Sequence, residues 1–286
     1  MPLLAATALA MTAFAANSVL NRWALAGGHI GAVEFALVRL AAGAAALALL
    51  VLWRQGFVFP GWTGRAGGVA GLTIYLFGFT LAYEALDAGT GALILFGVVQ
   101  LSMFAGALLL GETIPGRRYA GAALAFFGLV VLLWPGELRL SPLHAGLMIA
   151  AGIGWGLYSL KGRGLGDPLA STAANFALAL PLALALGWAL DDDLTMGDAT
   201  GVTLAIVSGA ITSGLGYALW HSILPALGAS RAGVAQLTVP LIAAAGGLVL
   251  IGETVTWRFA AAAAIILGGV AWATWERKPK APPSPS

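Results

Sequence analysis

Apolar residues occur along this chain in ten long runs, separated by short clusters of Gly, Pro and charged residues. A bilayer core of about 30 Å is crossed by roughly 20 helical residues, which is the length of these runs. Because the runs are continuous and do not alternate with polar positions, they indicate helices and exclude the strands of a membrane barrel. The predicted spans are approximately 3–20, 31–52, 66–86, 89–110, 118–134, 143–160, 169–190, 200–224, 230–251 and 258–275. The pattern predicts an all-α membrane protein of ten transmembrane helices.

The composition supports the same class. Hydrophobic residues make up 60% of the 286 positions and charged residues only 9%, whereas a soluble domain carries about 25% charged residues. The 40 glycines suit helices whose backbones approach closely. The absence of Cys excludes disulfides and thiolate metal sites. The short connections leave no separate soluble domain.

The distribution of Lys and Arg predicts the orientation. If the amino terminus is cytoplasmic, only three arginines at or near span ends (Arg22, Arg139 and Arg258) lie on the outer side. The cytoplasmic side then holds Arg54, Arg65, Arg117, Arg118, Lys161, Arg163, Arg231, Arg277, Lys278 and Lys280. This positive-inside bias places both termini in the cytoplasm, which requires an even number of spans.

The chain contains an internal repeat. Gly111-Glu112-Thr113 recurs as Gly252-Glu253-Thr254, 141 positions later, and the same offset pairs Arg22 with Arg163 and Trp134 with Trp275. Each half holds five spans, an odd number, so the halves enter the membrane from opposite sides. We therefore predict a five-plus-five inverted-topology repeat, the arrangement typical of alternating-access transporters. Its units are residues 1–141 and 142–277, followed by a disordered cytoplasmic tail, 278–286.

Three sequence features together resemble a known family. They are the paired Gly-Glu-Thr elements, Phe35 four residues before Arg39, and Trp155 with Gly156 and Tyr158 in the sixth span. The chain resembles the drug/metabolite transporter superfamily, specifically proteins with two EamA-type repeats, over residues 3–275. Within it the chain is most similar to bacterial YddG-type exporters of aromatic amino acids. The resemblance implies a multi-pass protein of the bacterial inner membrane that exports amino acids or related metabolites by alternating access.

Polar side chains inside spans are candidate ligand contacts, because an unpaired polar group in the membrane costs free energy. Four lie well inside predicted spans: Asn17, Gln100, His221 and Gln236. Hydrogen bonding between helices explains each of them equally well. A proton-coupling role for His221 is a further option, although we favour a neutral, hydrogen-bonded imidazole.

Aromatic side chains form a second group of candidates. Tyr75, Phe79 and Tyr83 are spaced by four residues and share one helix face. The repeat relates Phe79 to Trp220. An aromatic, mostly apolar pocket suits an aromatic amino acid. The aromatic substrate-binding candidates are Tyr75, Phe79, Tyr83, Phe96, Trp155, Tyr158 and Trp220. Helix packing is the competing explanation. We assign another set to the interfacial belt: Trp53, Trp62, Trp134, Trp257, Trp272 and Trp275.

Three further positions receive structural or gating assignments. Arg39 is the one cation clearly inside a predicted span, and we interpret it as a structural residue that extends toward an interface. Glu112 and Glu253 recur in both halves, which indicates a shared architectural task. Pro240, near Gln236, is a candidate gating residue, because Pro weakens the helix around it.

These features, together with what the resemblance implies, predict a transporter without a cofactor that exports small metabolites, with aromatic or other apolar amino acids as the expected substrates. The alternative substrate class is drug-like or other amphipathic metabolites. An intramembrane enzyme fits less well, since no Cys, metal-ligand spacing or phosphate-binding loop is present. A channel is a less favoured alternative, which would show fluxes far above those of a carrier and no counter-exchange. The predicted partners are a small-molecule substrate and membrane lipid, with no nucleic acid, and the protein acts as a monomer or a homodimer.

Overall fold

A computed structural model describes residues 2–109, 111, 115–134, 140–161, 167–190 and 195–274. Side chains at 225, 228–234, 273 and 274 fall outside this description. The predicted tail, 278–286, and several residues used above, among them Glu112 and Arg163, also lie outside the described residues.

The described part of the chain is helical throughout, with no strand. The first half forms α1 (Leu3–Ala26), α2 (Ala32–Gln55), α3 (Arg65–Ala82), α4 (Ala88–Leu109) and α5 (Gly116–Leu133). The second half begins with α6 (Pro142–Lys161), α7 (Pro168–Leu190) and α8 (Ala199–Ile206). It continues through the π-helical segment π1 (Val207–Leu215), α9 (Gly216–Gln236), α10 (Thr238–Gly246), a second π-helical segment π2 (Gly247–Ile251) and α11 (Trp257–Thr274).

Eight of the described helical spans are long and apolar enough to cross a membrane, and two shorter apolar helices follow them. The shorter ones are Thr238–Ile251 and Trp257–Trp272. The exterior of the protein carries large apolar side chains. Trp53, Trp62 and Trp257 are each more than 70% exposed, as expected for side chains that face lipid or its interface. The architecture is that of a multi-pass membrane protein.

The predicted boundaries differ from the structure mainly at two places. Helix α1 continues to Ala26, and the loop predicted near position 225 is absent because α9 runs on to Gln236. The break between α9 and α10 lies instead at Leu237. Pro240 accounts for it, because a proline cannot donate to the carbonyl four residues earlier and its ring clashes with that carbonyl, here that of Gln236.

The helices pack in pairs that cross the two halves. Helix α3 and helix α4 both contact α6, while α1 contacts α9, α10 and π1. Helix α2 packs against α7 and π1, and α5 packs against α11. Consequently residues from α1, α3, α4, α6 and α9 meet at the centre of the molecule.

Two glycines bring α3 and α6 into backbone contact. A Cβ added at Gly71 would lie 2.8 Å from the Gly154 carbonyl oxygen and 2.9 Å from the Tyr158 nitrogen. A Cβ at Gly154 would lie 2.7 Å from the Gly71 carbonyl oxygen. Any larger residue would separate the helices, so these glycines position Tyr75 and Trp155 against each other.

Candidate functional site

A small cavity lies at the centre of the helices and is lined mostly by aromatic side chains. Its lining consists of Phe14, Asn17, Ser18, Tyr75, Phe79, Leu95, Phe96, Trp155 and Tyr217. The free space between them admits about one water molecule. A larger ligand therefore requires these side chains or their helices to move apart.

Trp155 on α6 is the centre of the aromatic cluster. Its ring centroid lies 4.8 Å from that of Tyr75, 4.9 Å from Tyr217, 5.6 Å from Tyr158 and 6.3 Å from Phe14. Tilted and edge-on contacts at these distances are favourable beyond the area they bury. The cluster joins side chains from four helices around one indole ring.

A buried hydrogen-bond network lies beside these rings. The Asn17 Oδ1 atom accepts bonds from the hydroxyls of Ser208, Thr212 and Ser213. All three hydroxyls are carried by π1, whose wider turn is typical of functional sites. Asn21, one turn after Asn17, donates to the Asn17 carbonyl and accepts from Thr80 at 3.0 Å. The network fixes α1 against π1 and α3.

Arg39 is part of this centre, and its predicted extension toward an interface is wrong. The side chain is fully buried, with Nε donating to Ser213 Oγ at 3.1 Å and one Nη donating to the Tyr75 hydroxyl at 3.1 Å. The guanidinium carbon lies 4.9 Å from the Phe79 ring centroid. Polar partners on α3 and π1 hold the charged group inside the protein.

Tyr217 and Ser18 line the cavity and were not among the predicted site residues. The Tyr217 hydroxyl donates to the Tyr75 hydroxyl at 3.1 Å. Tyr217 is three residues before Trp220, so both share one helix face, and this spacing was the available signal. No comparable spacing in the sequence identifies Ser18 as a cavity residue.

The predicted aromatic residues largely come together. Tyr75, Phe79, Phe96 and Trp155 line the cavity with Asn17. Tyr83 is fully buried against Phe79 and donates to the Ala88 carbonyl. Two more predicted residues extend the same wall, Trp220 through Phe14 and Tyr158 through Trp155.

The remaining predicted residues lie away from the cavity. His221 faces Thr172 at 3.4 Å, and Gln100 is half-buried on α4 outside the lining. Gln236 is the last residue of α9 and also lies outside the lining. Pro240 is buried in the first turn of α10, beside the helix break described above.

One end of the helix bundle is closed by Arg22. Its Nε donates to Glu253 at 2.9 Å, and one Nη donates to the backbone carbonyls of Tyr83 and Glu84. Glu253 also accepts the Ala88 N–H at 2.8 Å. Burial raises the pKa of Glu253 above its usual range, although the bonds from Ala88 and Arg22 lower it. We call these contacts the Arg22–Glu253 tie, and they join α1, the α3–α4 turn and the segment before α11.

The opposite end is joined by Arg65 at the start of α3. It is buried and donates to the Ser171 carbonyl at 2.8 Å, to the Ser171 hydroxyl at 2.9 Å and to Asn175 Oδ1 at 2.9 Å. Near it, Gln55 donates to Asp167 at 2.6 Å. Both ends of the bundle are thus tied across helices, and the cavity is enclosed between them.

Comparison with known proteins relates this chain to transporters. Residues 143–275 match the model of the EamA-like transporter family. An uncharacterized protein of Pseudomonas aeruginosa is 46% identical over 268 residues, covering 93% of this chain and 92% of that protein. A Salmonella typhimurium protein named "Probable amino-acid metabolite efflux pump" is 26% identical over 221 residues, covering 70% of this chain and 73% of its own length.

A solved structure shows the same fold. This crystal structure is 22% identical to the chain and superimposes with a TM-score of 0.67, covering 95% of this chain and 98% of its own. The likeness extends over both halves, whereas the family match covers the second half. Residues 143–275 thus match the EamA-like transporter family, and the apolar helices are those of a multi-pass membrane protein.

Proposed function

We propose that this protein exports amino acids, aromatic ones above all, across the bacterial inner membrane by alternating access. The observation that carries the proposal is the central cavity, in which Trp155 contacts four other aromatic rings beside Asn17. Apolar rings accommodate the side chain of such a substrate, and a few fixed polar groups orient its backbone atoms. The efflux-pump name of the Salmonella typhimurium relative favours export of the same chemical class.

The proposed architecture is a ten-span inverted repeat with both termini cytoplasmic. The packing of the helices supports this architecture. Helices α3 and α4 of the first half contact α6. Under the repeat, α3 corresponds to π1 with the start of α9, α4 corresponds to α10, and α6 corresponds to α1; these counterparts also contact one another. Helix α5 packs against its own counterpart, α11. An exchange of such pairings around a fixed centre is how inverted repeats alternate access. The Lys and Arg distribution supports the orientation, with the Arg22–Glu253 tie on the outer side.

Counterflow in proteoliposomes tests the function. Vesicles that hold the purified protein and excess unlabelled tryptophan or phenylalanine are expected to accumulate the radiolabelled amino acid from outside. Interior leucine, lysine and a quaternary amine report the breadth of the substrate class. Absence of accumulation with every aromatic amino acid, from protein shown to be folded, would overturn the proposed substrate. Accumulation supported by the quaternary amine alone would favour the drug-like class.

Two tryptophan variants locate the site. Trp155→Ala is expected to lower the counterflow rate at least tenfold, whereas Trp155→Phe, which retains a ring, keeps an intermediate rate. Trp188→Ala is the matched control, because Trp188 on α7 is 74% exposed on the exterior. Size-exclusion profiles and melting temperatures show whether each variant is folded. Equal rates for Trp155→Ala and Trp188→Ala would remove the central cavity from the transport path.

A further inference from the structure

Arg39 carries a buried positive charge for which the described residues supply no counter-ion. Its side chain is fully buried, and no Asp or Glu oxygen in the described ranges lies within 4 Å of its nitrogens. Glu34, one buried acid on the same helix, makes no such pair. Arginine cannot lose its proton in a protein, so the charge persists. A buried charge without a partner is strongly unfavourable, and an anion that enters the centre relieves it.

The guanidinium also has a free donor. Nε is bonded to Ser213 and one Nη to the Tyr75 hydroxyl, while the other nitrogen, Nη1, is buried without a hydrogen-bond partner. The Tyr75 oxygen accepts bonds from both Arg39 and Tyr217, which leaves its own O–H as a second donor. Tyr75 thus brings one donor to the cavity lining, and the unpaired Nη1 belongs to the guanidinium that Tyr75 contacts.

Two aromatic rings that line the cavity lie against the Arg39 guanidinium. The guanidinium carbon lies 5.5 Å from the Tyr75 ring centroid and 4.9 Å from that of Phe79, and both residues line the cavity. When these rings separate to admit a ligand, Nη1 becomes a group that the ligand can reach. The cavity lining contains no carboxylate, so it offers an ammonium group no opposite charge.

We propose that Arg39 is the specificity-determining residue of the cavity and pairs with the carboxylate of the substrate. Arginine and carboxylate form short charge-assisted bonds, and one cation in a narrow site matches a monocarboxylate better than a doubly charged phosphate. The proposal rests on the proposed function and makes it narrower: the carboxylate is required for binding, and the amino group is dispensable.

Competition with matched phenylalanine analogues tests this on the unaltered protein. Phenylalanine and 3-phenylpropionate keep the carboxylate, whereas phenylalaninamide and phenethylamine lack it. We expect the two carboxylates to compete with labelled phenylalanine in counterflow at least tenfold better than the amide or the amine. Equal competition by phenylalaninamide, with phenylalanine transported normally, would overturn the carboxylate requirement and leave the exporter function intact.

Variants of Arg39 separate recognition from structure. Arg39→Gln is expected to reduce the preference for phenylalanine over phenylalaninamide to within about threefold, while Arg39→Lys retains a reduced preference. Arg65→Gln is the control, since Arg65 is equally buried but bonded to α7 away from the cavity. It is expected to lower the melting temperature and leave the preference unchanged. A preference that persists in folded Arg39→Gln would refute the assignment.

Ligand-induced shifts in melting temperature keep this test independent of the transport assay. Acid and amide pairs of phenylalanine, tryptophan, leucine and methionine, with acetate as a small anion, are added to the detergent-purified protein. A shift given by acids and not by amides supports the Arg39 assignment even when the transported acid is not aromatic. No shift with any acid, or the same shift with acetate alone, would overturn it.

Discussion

The Arg22–Glu253 tie gives a quantitative prediction about opening of the proposed outer side. Arg22 donates to Glu253 and to two backbone carbonyls, and the two side chains are 17% and 10% exposed. Hydrogen bonds to charged groups contribute about 1.5–3 kcal/mol each when buried, and partial exposure reduces this. We therefore expect Arg22→Met to destabilise the closed outer side by about 2–3 kcal/mol. Since 1.4 kcal/mol is tenfold, this is roughly a 30- to 140-fold shift toward opening.

Labelling of an engineered cysteine measures that shift. The natural sequence has no Cys, so Ser18→Cys in the cavity lining is the single target for a membrane-impermeant maleimide added outside. Arg22→Met is expected to raise its labelling rate more than tenfold. Arg258→Met is the matched control, because Arg258 donates to the exposed Trp134 carbonyl on the same side. Labelling of Arg22→Met within twofold of the parent would refute the closing role of the tie.

The double variant distinguishes the two partners. Glu253→Gln is expected to leave labelling within about threefold of the parent rate, because an amide oxygen still accepts from the Ala88 N–H. In Arg22→Met, the half-buried Glu253 carboxylate loses its cationic partner, which raises the free energy of the closed form. Adding Glu253→Gln removes that unpaired charge, so the double variant labels more slowly than Arg22→Met alone. Additive effects would contradict this coupling.

Acid strengthens closure, and the sign follows from the pKa of Glu253. Burial raises that pKa above its usual 4.5 when the outer side is closed, and opening returns the carboxyl to solvent. The closed form then binds a proton more tightly than the open form, so its extra stability is present at low pH and is lost as pH rises through the raised pKa. Labelling, normalised to an exposed reference cysteine, should slow as pH falls from about 7 toward 4.5. The same titration in Glu253→Gln should be flat.

Three further changes test the packing and polar network. Gly71→Val forces α3 away from α6 and should lower stability by about 1–3 kcal/mol. Gly146→Val is the control and should not lower it, because nothing lies within 4 Å of a Cβ built at Gly146. Melting temperatures in detergent measure both effects. Tyr217→Phe removes the hydroxyl bonded to Tyr75 and should cost about 0.5–1.5 kcal/mol by the same measurement, with no change beyond 0.2 kcal/mol counting against it. Asn17→Asp places a carboxylate one hydroxyl, Ser213, away from Arg39. The variant should weaken competition by unlabelled phenylalanine in counterflow severalfold. Unchanged competition would show that the new carboxylate does not act as a counter-ion for Arg39.

Most of the helices could be predicted because the bilayer fixes both their length and their polarity. The described helices of the first half begin and end within about four residues of the predicted spans, except that α1 continues to Ala26. The helix end predicted near position 225 is wrong, because a proline in the sequence of a membrane helix does not by itself mark the end of that helix. Pro240 breaks the helix and Pro225 does not.

The cavity could be predicted in part, since aromatic spacing along one helix identifies a shared face. Tyr75 and Phe79 line the cavity as that spacing suggested, and Trp155 joins them across α6. Gln100 and Gln236 do not, because an isolated polar residue carries no information about which neighbour its helix face meets. The burial of Arg39 depends on partners far away in sequence, Ser213 above all, and no local pattern contains that pairing.

The residues at the centre are asymmetric, which fits the amino-acid substrate proposed for the two-fold repeat. An amino acid has distinct ends, so a site composed of identical halves would present the same groups to both. Under the repeat offset, the position of Arg39 corresponds to Leu180, that of Tyr75 to Gly216, and that of Ser213 to Leu72. The guanidinium and both of its hydrogen-bond partners thus have apolar or small counterparts. In the proposed alternating-access cycle, matching helix pairs of the two halves would exchange, while the Arg39 charge would stay on one side of the centre and give the substrate a single orientation.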